Sequence, residues 1–293
     1  MAPYGYGLIT GQGRSGTNWL LDILDASPDT FCRNEPNVVG GSPFQRLGPL
    51  WHMSADPSPL DRGWDAVAEW TVSHQGARDH VLGDHKTFVH GAAARVGLPS
   101  LVQRNGTRRV LSRVVPSLRA AEWPLPRWLG DREAMAAAFG VMKVNRAPRV
   151  GAWLLRNRPG VPVINIVRHP GGRHASYLRR FLAGRDSEVE LAASRSWLST
   201  IADGEPEWAE RFGDPATLDH AEVQTWMWRY VTESLELVGE GAPDYHRVIY
   251  EQLSADPIAV ARELYDRCGL PWSTEVERRI LGGRTSSPWG ELS

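Results

Sequence analysis

An apolar run at residues 6–10 is followed by a glycine-rich turn, and then by Leu20, Ile23 and Leu24 at i, i+3, i+4. The alternation predicts a short buried strand, a loop and an amphipathic helix. The helix is predicted to stop at ASPDT, where Pro28 breaks it. A second strand–helix rhythm comes from FGVMKV (139–144) and RVGAWLLRN (149–157). It continues with the β-rich VPVINIVRHP (161–170) and the helical GGRHASYLRRFL (171–182). A third comes from YHRVIYEQL (245–253), read as strand and turn, and DPIAVARELYDRCGL (256–270), with Pro257 opening a helix and Gly269 closing it. Strands alternating with helices predict an α/β architecture with a central sheet. PDTFCRNEP, around residue 32, reads as a poor strand: two apolar residues, a charged one, and proline on both sides.

Residues 40–138 and 183–215 lack a clean period. They read as excursions from a single domain spanning 1–293: an insertion on the substrate side and a lid-like segment, where binding surfaces concentrate. Composition narrows the class. The chain has 293 residues, 42% hydrophobic and 23% charged, as in an ordinary globular protein. A formal net charge of -1 argues against electrostatic binding of nucleic acid but leaves room for a local basic pocket. Two cysteines, Cys32 and Cys268, make no disulfide framework and no metal-ligand spacing, so a reducing, cytoplasmic setting is expected. The N-terminus lacks signal-peptide character, no apolar run is long enough to span a membrane, and no metal motif is present.

Candidate chemistry starts in the loop GQGRSGTNWL (11–20). A helix N-terminus behind a glycine turn is an anion cradle, because its N–H groups are unpaired and its dipole end is positive. Gly11, Gly13 and Gly16 spell the dinucleotide fingerprint, and Glu35 lies nineteen residues past Gly16, about where a ribose-binding carboxylate would stand. A nicotinamide-dependent oxidoreductase is therefore one reading. Gly11 and Gly16 also frame a P-loop, but Thr17 occupies the lysine position, so an NTPase lacks its main phosphate contact. A glycine turn without a ligand is the plainest reading.

The same loop resembles the 5′-phosphosulfate loop of the sulfotransferase superfamily that uses 3′-phosphoadenosine 5′-phosphosulfate (PAPS), with Arg14 in the basic place as in its carbohydrate-type and bacterial branches. Two further stretches carry the resemblance in family order. VINIVRHPGGRHASY has Arg168 and, eight residues on, Ser176, the pair that in the family holds the 3′-phosphate. VIYEQL, followed by a helix and GLPW, is similar to the family's C-terminal strand motif, with Gln252 replacing the usual Asp. Neither NTPases nor dehydrogenases would have the second and third stretches.

The resemblance implies a P-loop-like three-layer α/β fold with a central, mostly parallel sheet, and transfer of a sulfuryl group from PAPS to a hydroxyl of a small-molecule, glycan or lipid acceptor, giving PAP. It implies a donor site of Arg14, Ser15, Gly16, Thr17, Asn18, Trp19, Arg168, Ser176, Tyr250 at the adenine, and Arg284 as a late 3′-phosphate contact. No metal is implied. Lys143 in GVMKVNR corresponds to a cation that meets the leaving oxygen, with Arg14 able to share that role. Many members have Lys-Thr-His there, and Asn145 stands where that branch has its catalytic histidine. Asparagine is no base, so Glu35, in a Glu-Pro pair like that of the carbohydrate-type members, is the candidate base. His52, His74 and His85 are the alternatives. A non-catalytic nucleotide-binding protein is the remaining alternative to an enzyme.

Overall fold

The computed structural model of the chain describes residues 5–38, 41–73, 85–91, 130–179 and 187–286. His74 lies outside them, as do residues 92–129 of the insertion, 180–182 at the end of the helix expected over 171–182, and 183–186 of the lid-like stretch. Strands β1 (Tyr6–Gly11), β2 (Thr30–Asn34), β3 (Phe139–Lys143), β4 (Val163–Val167) and β5 (Tyr245–Ile249) form one sheet in the order β2–β3–β1–β4–β5. Every pairing is parallel. The α/β expectation is met, and the sheet is parallel throughout the described residues.

Helices fill both faces. They are α1 (Thr17–Asp25), α2 (Ser58–Ser73), α3 (Arg132–Ala137), α4 (Pro148–Asn157) and α5 (Pro170–Tyr177) in the first part. In the second part they are α6 (Ser187–Gly204), α7 (Pro206–Phe212), α8 (His220–Gly239), α9 (Tyr250–Ala255), α10 (Pro257–Arg267) and α11 (Thr274–Ser286). Alternate strand residues divide the core between two layers. Leu8, Met142 and Val163 pack with Leu60, Trp64, Val150 and Leu154 from α2 and α4. Their neighbours Ile9, Val141 and Ile164 pack with Leu20, Ile23 and Leu24 of α1 and with Leu264 and Tyr265 of α10. Both faces are covered, which is why these strands read as continuous apolar runs.

Two expectations are corrected. The stretch dismissed as a poor strand is β2, the edge of the sheet, with Thr30, Phe31, Cys32 and Arg33 buried. Arg33 is fully buried. Its guanidinium donates to the carbonyls of Thr71 and Trp70 at the C-terminus of α2, at 2.8 and 3.1 Å, and stacks 4.1 Å over the Trp70 ring. A charge that breaks an apolar pattern in sequence is thus paired on its inner side. The stretch read as broken by glycine and proline at 183–215 contains α6 and α7. These helices build a satellite core with α8, in which Leu198, Ile201, Trp208, Phe212 and Tyr230 meet.

Candidate active site

All five strands point their C-terminal ends at one edge, and each end delivers a side chain from the sequence reading. The register lines up Asn34, Lys143 and Ile9, and sets Gly11 beside Ile166 and Val167 beside Ile249. The next residues are therefore neighbours: the loop with Arg14 after β1, Glu35 after β2, Lys143 at the end of β3, Arg168 after β4 and Tyr250 after β5. The chain winds to one side of β1 and then crosses to the other, and ligands of parallel α/β sheets bind at such a reversal.

The loop is tight because its glycines are needed. A side chain at Gly11 would meet the Ile166 carbonyl at 2.5 Å, and one at Gly16 would meet the Tyr250 ring at 2.5 Å. Gly16, at φ 96, is the N-cap of α1 and provides no side-chain cap, so the first N–H groups of α1 face the loop without one. Ser15 is fully buried and Gln12 nearly so. Among the described residues, the Ser15 hydroxyl and both ends of the Gln12 amide have no partner, and neither does the carbonyl oxygen of the Asn18 side chain. Buried polar groups are rarely left unpaired without a ligand to meet them. A cradle with unspent donors behind a helix N-terminus fits a dense anion such as a phosphosulfate.

Cations ring this cradle. Arg14 Nε donates to Ser176 Oγ at 3.2 Å, joining the first motif to the second. Arg168 Nη1 donates to the Arg14 carbonyl at 3.3 Å, and its guanidinium lies 4.0 Å over the Tyr250 ring, while its Nε is buried and unpartnered. Trp19 meets Tyr250 edge-on at 5.9 Å. Sequence reasoning missed three supports here. Arg173 is buried and donates to the Gly13 carbonyl at 3.0 Å and to the Gln224 side chain at 2.6 Å. Burial pulls its pKa down to about 9, with Arg146 adding to the fall, and it remains charged at neutral pH. Trp228 donates its indole N–H to the Arg168 carbonyl at 3.0 Å. Arg173 sits between Arg168 and Ser176 in sequence, so the motif itself contained that signal; Gln224 and Trp228 come from α8 and gave none.

Beside the cradle stands the Lys143–Glu35 ion pair. Lys143 Nζ donates to Glu35 Oε1 at 2.9 Å and to Asn34 Oδ1 at 3.0 Å. Burial lowers the Lys143 pKa, against which the Glu35 carboxylate pulls it up. Asn145 Nδ2 donates to the same Glu35 oxygen, and Thr17 Oγ1 donates to Asn145 Oδ1 at 2.9 Å. Glu35 Oε2 has no partner among the described residues, and the Glu35 side chain is 37% exposed. In a dinucleotide fold β2 would lie against β1. Here β3 intervenes, so Glu35 does not follow the strand next to β1.

Arg146 is a further residue the sequence did not flag. It is exposed, yet enough protein surrounds it that desolvation lowers its pKa, with Glu190, Glu35 and Tyr177 pulling the other way. Its N–H bonds the Gly11 carbonyl at 2.9 Å. Arg14, Glu35 and Arg146 have φ of 73, 53 and 53, and they are the non-glycine residues with positive φ among those described. That conformation is unfavourable for such residues and collects at functional sites.

The two alternative bases among the described residues, His52 and His85, make contacts elsewhere. His52 faces Ser54 Oγ at 3.1 Å and Glu205 at 3.5 Å. His85 Nε2 contacts the Asp25 carbonyl at 2.9 Å, at the far end of α1, and burial lowers its pKa. Arg284 falls within α11. No cluster of potential metal ligands occurs among the described residues, and no helix among them is long and apolar enough to cross a membrane.

Among solved structures the chain is similar to the sulfotransferase domain of the olefin synthase of Synechococcus PCC 7002, at 16% identity over 98% of this chain and 82% of that one, with a TM-score of 0.41. It is similar to the sulfotransferase domain of the curacin biosynthetic pathway at 14% identity, over 98% and 81%, with a TM-score of 0.43. Sulfotransferase STF9 of Mycobacterium avium gives 16% identity over 96% and 68%, with a TM-score of 0.40. Likeness at that level is loose. None of the curated proteins matches the chain in sequence. The profile of the sulfotransferase family does match it, over residues 8–274. That span runs from within β1 to the start of α11 and takes in all five strand ends that build the site, so the chain belongs to the sulfotransferase family.

Proposed function

We propose that this enzyme transfers a sulfuryl group from PAPS to a hydroxyl of a small-molecule, glycan or lipid acceptor, releasing PAP and a sulfate ester. The observation that carries it is the cradle of unspent donors at Gln12, Ser15 and the α1 N-terminus, flanked by Arg14 and Arg168 and set beside a carboxylate with one open oxygen. PAPS, when bound, supplies an activated sulfuryl group on a phosphate leaving group.

The chain's residues divide the remaining work. Backbone N–H groups of Gly16, Thr17, Asn18 and Trp19, with the Ser15 hydroxyl, hold the 5′ end of the nucleotide. Arg168 and Ser176 hold the 3′-phosphate, Arg284 adds a later contact, and Tyr250 flanks the adenine. Glu35 Oε2 accepts the proton of the acceptor hydroxyl. The electron pair of that O–H bond becomes the new O–S bond as the bond from sulfur to the phosphate oxygen breaks. Lys143 spends two of its three N–H groups on Asn34 and Glu35. Its third meets the negative charge that develops on the departing oxygen, with Arg14 sharing it. The acceptor enters from the side of Arg146 and of the lid-like segment around α6.

The test is ligand-induced stabilisation followed by product detection. PAP is expected to raise the melting temperature where NAD and ATP do not. Incubating an extract with PAPS and the enzyme is expected to yield products heavier by one SO3 unit. A shift with NAD and none with PAP would overturn the reading. PAP binding without any sulfated product in acceptor-rich extracts would reduce the protein to a nucleotide binder.

A further inference from the structure

Asn145 joins two parts of the site that no strand ladder connects. It lies in the turn between β3 and α4, pinned from both sides: Val144 N–H bonds the Ile9 carbonyl, Arg146 N–H bonds the Gly11 carbonyl, and Ala147 N–H bonds Thr10 Oγ1. Glu35 N–H bonds the Lys143 carbonyl at 2.7 Å, so the backbone beside the carboxylate is fixed as well. A primary amide has one end that only accepts and one that only donates. The Thr17 hydroxyl has a single hydrogen, and it is spent on Asn145 Oδ1. The Glu35 carboxylate can only accept, so it decides which way the amide faces and takes Nδ2 on Oε1, which leaves Oδ1 to the Thr17 hydroxyl. The opposite orientation would set an amide oxygen against the carboxylate.

We propose that Asn145 is a positioning residue for Glu35, and that Thr17 of the phosphate loop braces the far end of its amide, so that the donor loop and the base form one hydrogen-bonded unit. The inference rests on the reading of Glu35 as the base. Lys143 and Asn145 both donate to Oε1. The carboxylate is thereby locked in rotation with Oε2 left to the acceptor. Asparagine does this without offering a competing proton, because its amide does not titrate at working pH. The histidine that some relatives have at this place in the motif is therefore replaced by a fixed dipole, while the base is supplied from β2. Thr17 then contributes to donor binding through its N–H, since its hydroxyl is already committed.

The test uses Asn145→Ala, Asn145→Asp, Thr17→Val and the Thr17→Val/Asn145→Ala double variant in the full chain. The assay is transfer of labelled sulfuryl group from PAPS to the extract acceptor, with PAP affinity measured separately. Loss of the positioning bond is expected to lower kcat in Asn145→Ala by about 10- to 100-fold, as small misplacements of reacting groups do. PAP affinity is expected to stay within about twofold, since the residue touches no donor-binding group but Thr17.

The acid limb of the pH–rate profile is the signature that a merely structural role would not move. Lys143 and Arg146 are the charged groups that face Glu35. With both unchanged, Asn145→Ala is expected to move the limb to higher pH because the carboxylate loses a donor, and Asn145→Asp to move it further because a second carboxylate replaces that donor. Residues acting as one unit are non-additive, so the double variant is expected to lose no more than Asn145→Ala alone. If Asn145→Ala does not fold by circular dichroism, Thr17→Val, close to isosteric, carries the kcat and pH measurements. A wild-type enzyme that neither binds PAP nor transfers sulfate overturns the functional reading. A wild-type enzyme that does both, with variants matching it in kcat and acid limb or with additive losses in the double variant, overturns this inference alone.

Discussion

Glu35 and Arg168 follow β2 and β4 on the same edge of the sheet and are opposite in consequence. Glu35 Oε2 is open and the carboxylate is held at Oε1 by Lys143 and Asn145. Arg168 has a buried Nε without a partner, beside the loop. Replacing Glu35 with Gln keeps the shape and removes the proposed base. Turnover is expected to fall by at least about 100-fold, the lower range for a general base, with PAP binding nearly intact. Replacing Arg168 with Ala is expected to do the reverse and weaken PAP binding by about 1.5–3 kcal/mol, the worth of a charged hydrogen bond. Isothermal titration with PAP and a sulfuryl-transfer assay separate the two, and an active Glu35→Gln enzyme would take the base role from Glu35. Arg14, Lys143, Arg168 and Ser176 could be named from the sequence because they sit in stretches that resemble motifs of the family, and the fold brings Arg14, Arg168 and Ser176 together. Asn145 was named only as a departure from the motif, and Arg146 not at all: the orientation of an amide and a left-handed backbone are not encoded in residue letters.

At the scale of elements, legibility followed periodicity. The strand–loop–helix opening and the units around β3, β4 and β5 were readable because both faces of the sheet are covered and the apolar runs are unbroken. Strand β2 was not, since Arg33 interrupts it and half of what compensates Arg33 lies on α2, remote in sequence. Its guanidinium satisfies carbonyls that the end of α2 leaves without helical partners, and it stacks on Trp70. Arg33→Ala therefore removes a buried volume and strands two carbonyls. A loss of about 2–4 kcal/mol in urea unfolding is expected. Arg33→Lys keeps the charge without the fork and is expected to fall between. Because β2 also places Glu35, the alanine variant is expected to lose turnover at temperatures where it is still largely folded. A variant as stable as the parent would mean that α2 and β2 are not coupled through this side chain.

For the whole molecule, the groups buried in neutral form set the alkaline limit. Burial pushes Tyr245 and Cys268 up to about 12, and raises Cys32, Tyr230 and Tyr265 as well. These side chains lie in or between the layers that flank the sheet, so their titration reports on the assembled core rather than on the site. Each holds its proton in the folded state at a pH where the unfolded chain has released it. The folded state then binds more protons than the unfolded one, and stability falls as pH rises. The contribution is complete below the ordinary phenol or thiol value and is lost on the way up to the folded one. Lys143, lowered by burial, works in the opposite sense. Tyr245 allows the sign to be isolated, because its hydroxyl accepts one bond, from Asn165 Nδ2 at 3.0 Å, and sits far from the loop at the start of β5. Tyr245→Phe leaves that amide unpaired and is expected to be less stable than the parent at pH 8. Between pH 10 and 11 the gap is expected to narrow by roughly 1 kcal/mol, since only the parent has a phenol to titrate. Urea midpoints at pH 8, 10 and 11 measure it. A gap that stays constant or widens would mean that the phenol titrates alike in the folded and unfolded chain, and that the layer between α8 and the sheet admits water at Tyr245.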